Sequence, residues 1–254
     1  MTRYVRFARN GQGVWGLLEG STVRTLSAAP YLAHEPTGET VSLESVTLLA
    51  PAEPPKIFAV GLNYRSHLGN RPAPTVPEIF YKPITALQNP EAPIVIPPNA
   101  SDVHYEGELV LVIGRTGRRI PEPEAPSYIF GVTCGNDVSE REWQRGAAKD
   151  LQWWRAKGCD TFGPCGPCLV RGAAYGNLKL STRLNGETVQ EQTTADLLFD
   201  AAAIVSFISQ NVTLQPGDLI FTGTPGSTRR MKPGDVVEVE IQDIGVLRNP
   251  VEAG

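Results

Sequence analysis

Glycine and proline, 25 and 22 of 254 residues, punctuate the chain without any period, so nearly every run between them is of strand length. Only residues 194–210 read as a long amphipathic helix, and strand-like runs do not alternate regularly with helical ones. A doubly wound βαβ architecture is thereby excluded. The expected fold is mixed and β-rich, an α+β arrangement with few helices.

At roughly 150 residues per domain this length suggests between one and two domains. Residues 3–27 alternate apolar and polar positions, broken at Asn10-Gly11 and Glu19-Gly20-Ser21, the signature of short strands joined by tight turns. A loose stretch over 28–55, carrying Pro30, Pro36, Pro51, Pro54 and Pro55, reads as a connection. The expected division is a small N-terminal β domain, 1–50, followed by a larger domain, 51–254. In the latter, strands are expected at 57–60, 109–113, 128–133, 178–184, 219–221 and 236–241. A helix is expected near 139–148, with Ser139 and Glu142 spaced as a capping box.

The formal charge is −4 and no Lys/Arg-rich run occurs, so nucleic acid is not an expected partner. No stretch approaches the ~20 apolar residues that cross a bilayer. Met1-Thr2-Arg3-Tyr4 leads into an alternating strand instead of an apolar signal core, so the expected location is cytoplasmic, with no membrane partner. The four cysteines, Cys134, Cys159, Cys165 and Cys168, read as thiols.

Two motifs imitate functional sites. Gly11-Gln-Gly13-Val-Trp-Gly16 matches a dinucleotide fingerprint, but Glu19-Gly20-Ser21 breaks the chain where the phosphate-binding helix would have to open, so the hairpin reading stands. Cys165-Gly-Pro-Cys168 copies a redox pair, yet it is followed by the strand-like Leu169-Val170 and not by the helix that lowers such a thiol's pKa.

The chemistry concentrates at His104-Tyr-Glu106-Gly-Glu108, which opens the apolar run Leu109–Ile113. Alternation on a strand places His104, Glu106 and Glu108 on one face, and Gly107 leaves the opposite face bare for another group to approach. Adjacent carboxylates are costly unless solvated, protonated or bound to a cation. A solvated edge strand is one reading; a hard divalent ion at the mouth of a buried strand is the other. Asp137, after the run Ile129–Cys134 and Gly135-Asn136, offers a third oxygen ligand or else caps the helix behind it. Three carboxylates suit Mg²⁺ or Mn²⁺ better than Zn²⁺. Lys157, between Trp153-Trp154 and Asp160, is either a solvated lysine or an ammonium with an apolar wall and a partner. His67, just beyond a strand end, is either structural or a proton-transfer group.

Gly61-Leu-Asn-Tyr64-x-x-His67, Phe80-Tyr-Lys82-Pro83, His104-Tyr-Glu106-Gly-Glu108-Leu, Gly135-Asn-Asp137-Val-Ser, Lys157-Gly-Cys-Asp160-Thr-Phe-x-Pro and Thr222-Gly-Thr224-Pro225 occur in the order found in the fumarylacetoacetate hydrolase family, which the chain resembles over about residues 50–250. Its first fifty residues look like the small β domain of bacterial members known as hydroxyheptadienedioate isomerases or hydrolases. The resemblance implies a β-roll catalytic domain, a homodimer, and a small 2-oxo acid or its enol as substrate beside Mg²⁺ or Mn²⁺. It implies Glu106, Glu108 and Asp137 as metal ligands, and His67 and Lys157 as catalytic groups. Lys157, Thr224 and Gln144 would contact substrate. The family carries out acylpyruvate-type C–C hydrolysis, decarboxylation and enol–keto tautomerisation, all through enolate chemistry; some members could also keep the fold without the activity.

One position departs from the pattern. Hydrolytic members carry a glutamate three residues after the histidine, where this chain has Asn70. An amide orients a water but accepts no proton and cannot stabilise an imidazolium. The departure favours decarboxylation or tautomerisation over hydrolysis.

Overall fold

The computed structural model describes all residues, 1–254. The N-terminal strands Thr2–Arg9, Gln12–Glu19 and Thr22–Leu26 form an antiparallel meander. Asn10 and Gly11 take φ of 53° and 77° between the paired residues Arg9 and Gln12, a two-residue left-handed turn that suits the twist of a hairpin. The fingerprint-like glycines therefore lie in a hairpin, as the missing helix implies. Residues 2–4 also pair with the strand Gly163–Arg171, so the meander extends the same twelve-stranded sheet that carries the central strands.

The stretch expected as a bare connection contains structure. Pro36–Ser42 forms the outermost strand beside Thr22–Leu26, and Leu48–Leu49 pairs with the first strand. The former is almost wholly exposed and so lacks the apolar alternation that marks a strand, and Pro36 is tolerated because an edge needs no donor on its outer side.

At the centre, Gly107–Ile113 lies between Ile129–Asn136 and Leu219–Phe221, and Leu219–Phe221 runs parallel to Ile57–Gly61, which in turn pairs with Glu78–Lys82. Both faces of Gly107–Ile113 are buried. Leu109, Leu111 and Ile113 join one core with Phe58, Val60 and the helix Ala201–Asn211. Val110 and Val112 join another with Ala59, Leu169 and Phe221. This two-sided burial is why the strand reads as a continuous apolar run, each side chain contributing about 1.5–3 kcal/mol.

A second, five-stranded sheet orders Glu187–Thr193, Lys179–Leu184, Val236–Ile241, Gly245–Ala253 and Ile94–Ile96. The two sheets make a close approach at Gly107, where a Cβ would lie 2.1 Å from Thr182 Oγ1. The bare face expected at that glycine is thus filled by a neighbouring sheet.

Both expected helices are shorter than their sequence patterns. In the stretch 194–210, residues Thr194–Asp196 form a single 3₁₀ turn, and the α-helix begins at Ala201 because Asp200 Oδ1 accepts from Ala203 N at 2.9 Å. In 139–148, Ser139–Glu140 pairs as a strand with Val103–His104, and the helix covers only Arg141–Arg145. Glu140, not Ser139, caps it, accepting from Trp143 N at 2.7 Å, while the Ser139 hydroxyl donates to Asp137 O. No helix is long and apolar enough to cross a membrane.

Candidate active site

Antiparallel register brings Gly107 opposite Asn136 and Glu108 opposite Gly135. Asn136 Oδ1 accepts from Glu106 N at 2.8 Å and Asp137 N donates to Glu106 O at 2.9 Å. These bonds lock the two strand ends together, so Glu106, Glu108 and Asp137 offer carboxylate oxygens within 4.8 Å of one another. The three residues are 4%, 1% and 1% exposed, which removes the solvated-edge reading. Asp137 caps no helix; its carboxylate accepts from Lys82 Nζ at 2.6 Å and Lys157 Nζ at 2.5 Å.

Lys157 sits in the short helix Trp154–Gly158. Its buried Nζ also donates to Glu106 Oε2 at 2.6 Å and lies 5.1 Å from the centre of the Phe80 ring. The apolar wall comes from Phe80 and, of the two expected tryptophans, from Trp153 only, since Trp154 is 69% exposed; the partners are Glu106 and Asp137 and not Asp160. Burial alone would lower the Lys157 pKa, yet Asp137 and Glu106 carry it above the ordinary lysine value, so it is a cation at neutral pH. Burial would raise Glu106, but Lys157 and Arg141 hold it well below the usual carboxylate range. Glu108 has the opposite fate: burial first, then Asp137 and Glu106, push it well above that range, and a protein group bonded to it is Gly223 N, at 2.7 Å.

His67 closes the 3₁₀ turn Arg65–His67. Its Nδ1 lies 2.6 Å from Gly226 O. A carbonyl only accepts, so Nδ1 carries the proton. Burial lowers the imidazole pKa despite the nearby Glu106, the ring is neutral, and Nε2, 3.9 Å from Glu106 Oε1, keeps a free lone pair.

Gln144 and Thr224 line the same cavity of ≈ 80 Å³ as His67, Lys157 and the glutamates. Gln144 Oε1 accepts from Arg141 Nη1 at 2.7 Å, leaving its amide group to donate. The Thr224 hydroxyl donates to Gly107 O at 2.9 Å and accepts from Gln190 Nε2 at 2.8 Å, so its one proton is held by the framework. His104 is drawn away from the cluster, with Nε2 2.8 Å from Asp102 Oδ1 and Nδ1 2.9 Å from Thr228 Oγ1.

Two cations escaped the sequence reading. Arg141, buried, donates to Glu106 Oε1 at 2.6 Å and Thr228 Oγ1 at 2.8 Å. Lys82, also buried, binds Asp137 and the carbonyl of Lys157. Lys82 lies in the Phe80-Tyr-Lys82-Pro83 motif, and a charged residue ending a half-apolar strand was the available signal. Three carboxylates thus face three cations. The redox alternative fails on placement: Cys165 and Cys168 lie in mid-strand, and burial pushes the Cys168 thiol up to about 11, opposite to an activated thiol.

Residues 56–252 match Fumarylacetoacetate (FAA) hydrolase C-terminal, and residues 2–51 match Rv2993c-like, N-terminal. The chain belongs to the fumarylacetoacetate hydrolase family. It is 45% identical over 236 residues to Protein Rv2993c of Mycobacterium tuberculosis, covering 91% of this chain and 88% of that one. It is 41% identical over 219 residues to the mitochondrial oxaloacetate tautomerase FAHD2A of Bos taurus, covering 81% and 69%. The crystal structure of 2-hydroxyhepta-2,4-diene-1,7-dioate isomerase from Mycobacterium marinum superposes with a TM-score of 0.91 at 40% identity, covering 100% and 99%. The β-roll expectation and the family resemblance both hold, and relatives of this chain are enzymes that isomerise or tautomerise small acids.

Proposed function

We propose that the protein is a divalent-metal-dependent enzyme that interconverts the enol and keto forms of a short 2-oxo acid, with decarboxylation of such acids as a related capacity. The observation that carries this is the cluster of Glu106, Glu108 and Asp137, three buried hard-oxygen donors converging within 4.8 Å at a cavity that also presents a fixed ammonium and a neutral imidazole. That donor set fits Mg²⁺ or Mn²⁺. When bound, such an ion neutralises carboxylate charge and polarises the 2-oxo group.

The chain's own groups complete the chemistry. Lys157, kept protonated by its two carboxylates, donates to the substrate oxygen on which negative charge grows between enol and ketone. His67 accepts or returns a proton at Nε2, because Gly226 O fixes the hydrogen on Nδ1. Gln144 donates to the substrate from its free amide, and Phe80 and Trp153, with ring centroids 5.6 Å apart, wall the cavity against water.

Hydrolysis would need a water activated beside His67 by a carboxylate other than Glu106, whose oxygens already accept from Arg141 and Lys157. Asn70 occupies the position where hydrolytic relatives carry that group, and Glu78 is exposed and does not line the cavity. The resemblance to oxaloacetate tautomerase of Bos taurus favours the same reading, with a homodimer as the expected assembly. The test follows decay of enol-oxaloacetate absorbance and cleavage of an acylpyruvate in the same preparation, with Mg²⁺ and with EDTA. Metal-dependent tautomerisation exceeding hydrolysis is expected; efficient acylpyruvate cleavage, or tautomerisation indifferent to EDTA, would overturn the proposal.

A further inference from the structure

His104, buried two residues before Glu106, takes no part in the proposed chemistry, yet a line of hydrogen bonds runs from its ring to the carboxylate cluster. Asp102 Oδ1 lies 2.8 Å from Nε2. A carboxylate accepts, so Nε2 carries a proton. On the other side of the ring, Nδ1 lies 2.9 Å from Thr228 Oγ1, and that oxygen also receives Arg141 Nη2 at 2.8 Å. Arginine only donates, so the hydroxyl proton goes to Nδ1, which is bare. Every bond in the line then has one direction. Beyond it, Arg141 Nη2 donates to Glu106 Oε1 at 2.6 Å and Nη1 to Gln144 Oε1 at 2.7 Å. The backbone fastens both ends: His104 pairs with Ser139 and bridges to Arg230, and Glu140 accepts from Asp102 N at 2.8 Å and from Trp143 N in the helix that carries Arg141.

Resting on the reading of Glu106 as a metal ligand, we infer that His104 is a positioning residue: through the Thr228 hydroxyl it fixes the plane of the Arg141 guanidinium, and through Arg141 the orientation in which Glu106 offers its oxygens. A guanidinium is a rigid fork, so fixing one of its N–H directions fixes the others. Nη2 has two hydrogens, and with one held by Thr228 Oγ1 the other is aimed at Glu106. Without an acceptor at Nδ1 the hydroxyl loses the bond that orients it, and its rotation carries the lone pair away from Nη2. Lys157 holds only the other oxygen of Glu106, and one contact leaves a carboxylate free to turn. Partners one layer behind a ligand act in this way on metal affinity. A ring that merely filled space would need its bulk and neither bond direction.

The test titrates Mn²⁺ into the metal-free protein by calorimetry, with no substrate present. His104→Leu removes the acceptor and Thr228→Val removes the hydroxyl; each should weaken Mn²⁺ binding by about tenfold to a hundredfold, the range for loss of a partner behind a metal ligand. The double variant should be no worse than either single one. Thr228 is half-buried and valine has its shape, so that variant keeps the result readable even if His104→Leu fails to fold. Rescue separates positioning from the filling of space: His104→Asn keeps an oxygen acceptor at the place of Nδ1 and Thr228→Ser keeps the hydroxyl, and both should bind Mn²⁺ nearly as the parent does. Unchanged or tighter binding by Thr228→Val, additive losses in the double variant, or no rescue by the asparagine and serine variants overturns the proposal and leaves the enol–keto reading in place. If Mn²⁺ affinity follows the hydroxyl and its acceptor while no enol is turned over, the positioning role stands and the tautomerase reading falls. A parent that binds no Mn²⁺ overturns the positioning role together with the ligand set.

Discussion

Replacing Glu108 with glutamine should stabilise the metal-free protein while weakening its response to metal. Lys82, Lys157 and Arg141 bond to Glu106 and Asp137, and none of them bonds to Glu108. With oxygens no more than 4.8 Å apart, each like-charged neighbour repels an ionised Glu108 by at least about 3.5 kcal/mol at an effective permittivity of ~20. Protonation caps the cost. From an ordinary value of 4.5, taking up a proton at pH 7 spans about 2.5 pH units at about 1.36 kcal/mol each, or about 3.4 kcal/mol. Because the folded pKa is raised above the unfolded one, stability is intact below pH 4.5 and is lost as pH rises toward the folded value. Glutamine keeps an oxygen for Gly223 N–H and removes the charge, so a gain of about 2 kcal/mol in EDTA corresponds to a Tm about 4–8 °C higher. That gain should grow between pH 5 and pH 7. In Mg²⁺ at a hundred times its Kd the parent recovers about 2.7 kcal/mol and the variant much less, so their difference closes or inverts. Thermal unfolding in EDTA and in Mg²⁺ at several pH values measures all of this. A variant less stable than the parent in EDTA, or one with an undiminished Mg²⁺ shift, refutes the reasoning.

Lys157→Met should lower kcat for tautomerisation by roughly 10²–10³, the range for loss of one preorganised donor to a developing oxyanion; a change confined to KM would make the lysine a substrate-binding group only. Asn70→Glu should introduce or increase acylpyruvate hydrolysis, measured as pyruvate release, and no gain over a parent that already hydrolyses efficiently would show that the amide has no bearing on water activation. The thiols should resist alkylation in the folded protein: burial raises Cys159 and Cys168 each to about 11, so thiolate is scarce at pH 8 and labelling should rise only as pH approaches 11 or the chain unfolds. Rapid single-site labelling at pH 7 would count against inert thiols.

The central strands were legible because burial on two faces leaves a direct mark on sequence, and residues 236–241 and 219–221 form strands with the expected bounds. The exposed edge strand Pro36–Ser42 left no such mark. Helix starts were misplaced where a cap competed with a periodic pattern: Asp200 and Glu140 hold the first-turn amides, while Thr194, the expected helix start, and Ser139, the expected cap, bond elsewhere. Sequence alone ranks such residues by type, and only the tertiary path decides which one meets a free N–H.

The carboxylates of the candidate site could be read because they lie on two strand ends that pair directly. The cations that balance them were harder to read: Lys82 is signalled only by ending a half-apolar strand, Arg141 carries no local sign of burial, and their partners lie 55 and 35 residues away. The Thr222–Thr228 segment, which brings Thr224 to the cavity as expected, also has a framework role that its motif does not announce. Its residues supply N–H to Glu108, a hydroxyl to the Gly107 carbonyl, a carbonyl to His67 and a hydroxyl acceptor to Arg141. Each of those bonds crosses more than eighty residues of chain, and together they fix one carboxylate, one strand, one imidazole tautomer and one guanidinium. A segment with so many framework bonds has few polar atoms left to spend on substrate. Under the proposed function, the donors still unspent at the cavity include those of Lys157 and the Gln144 amide, and they are the groups to meet the substrate's charge.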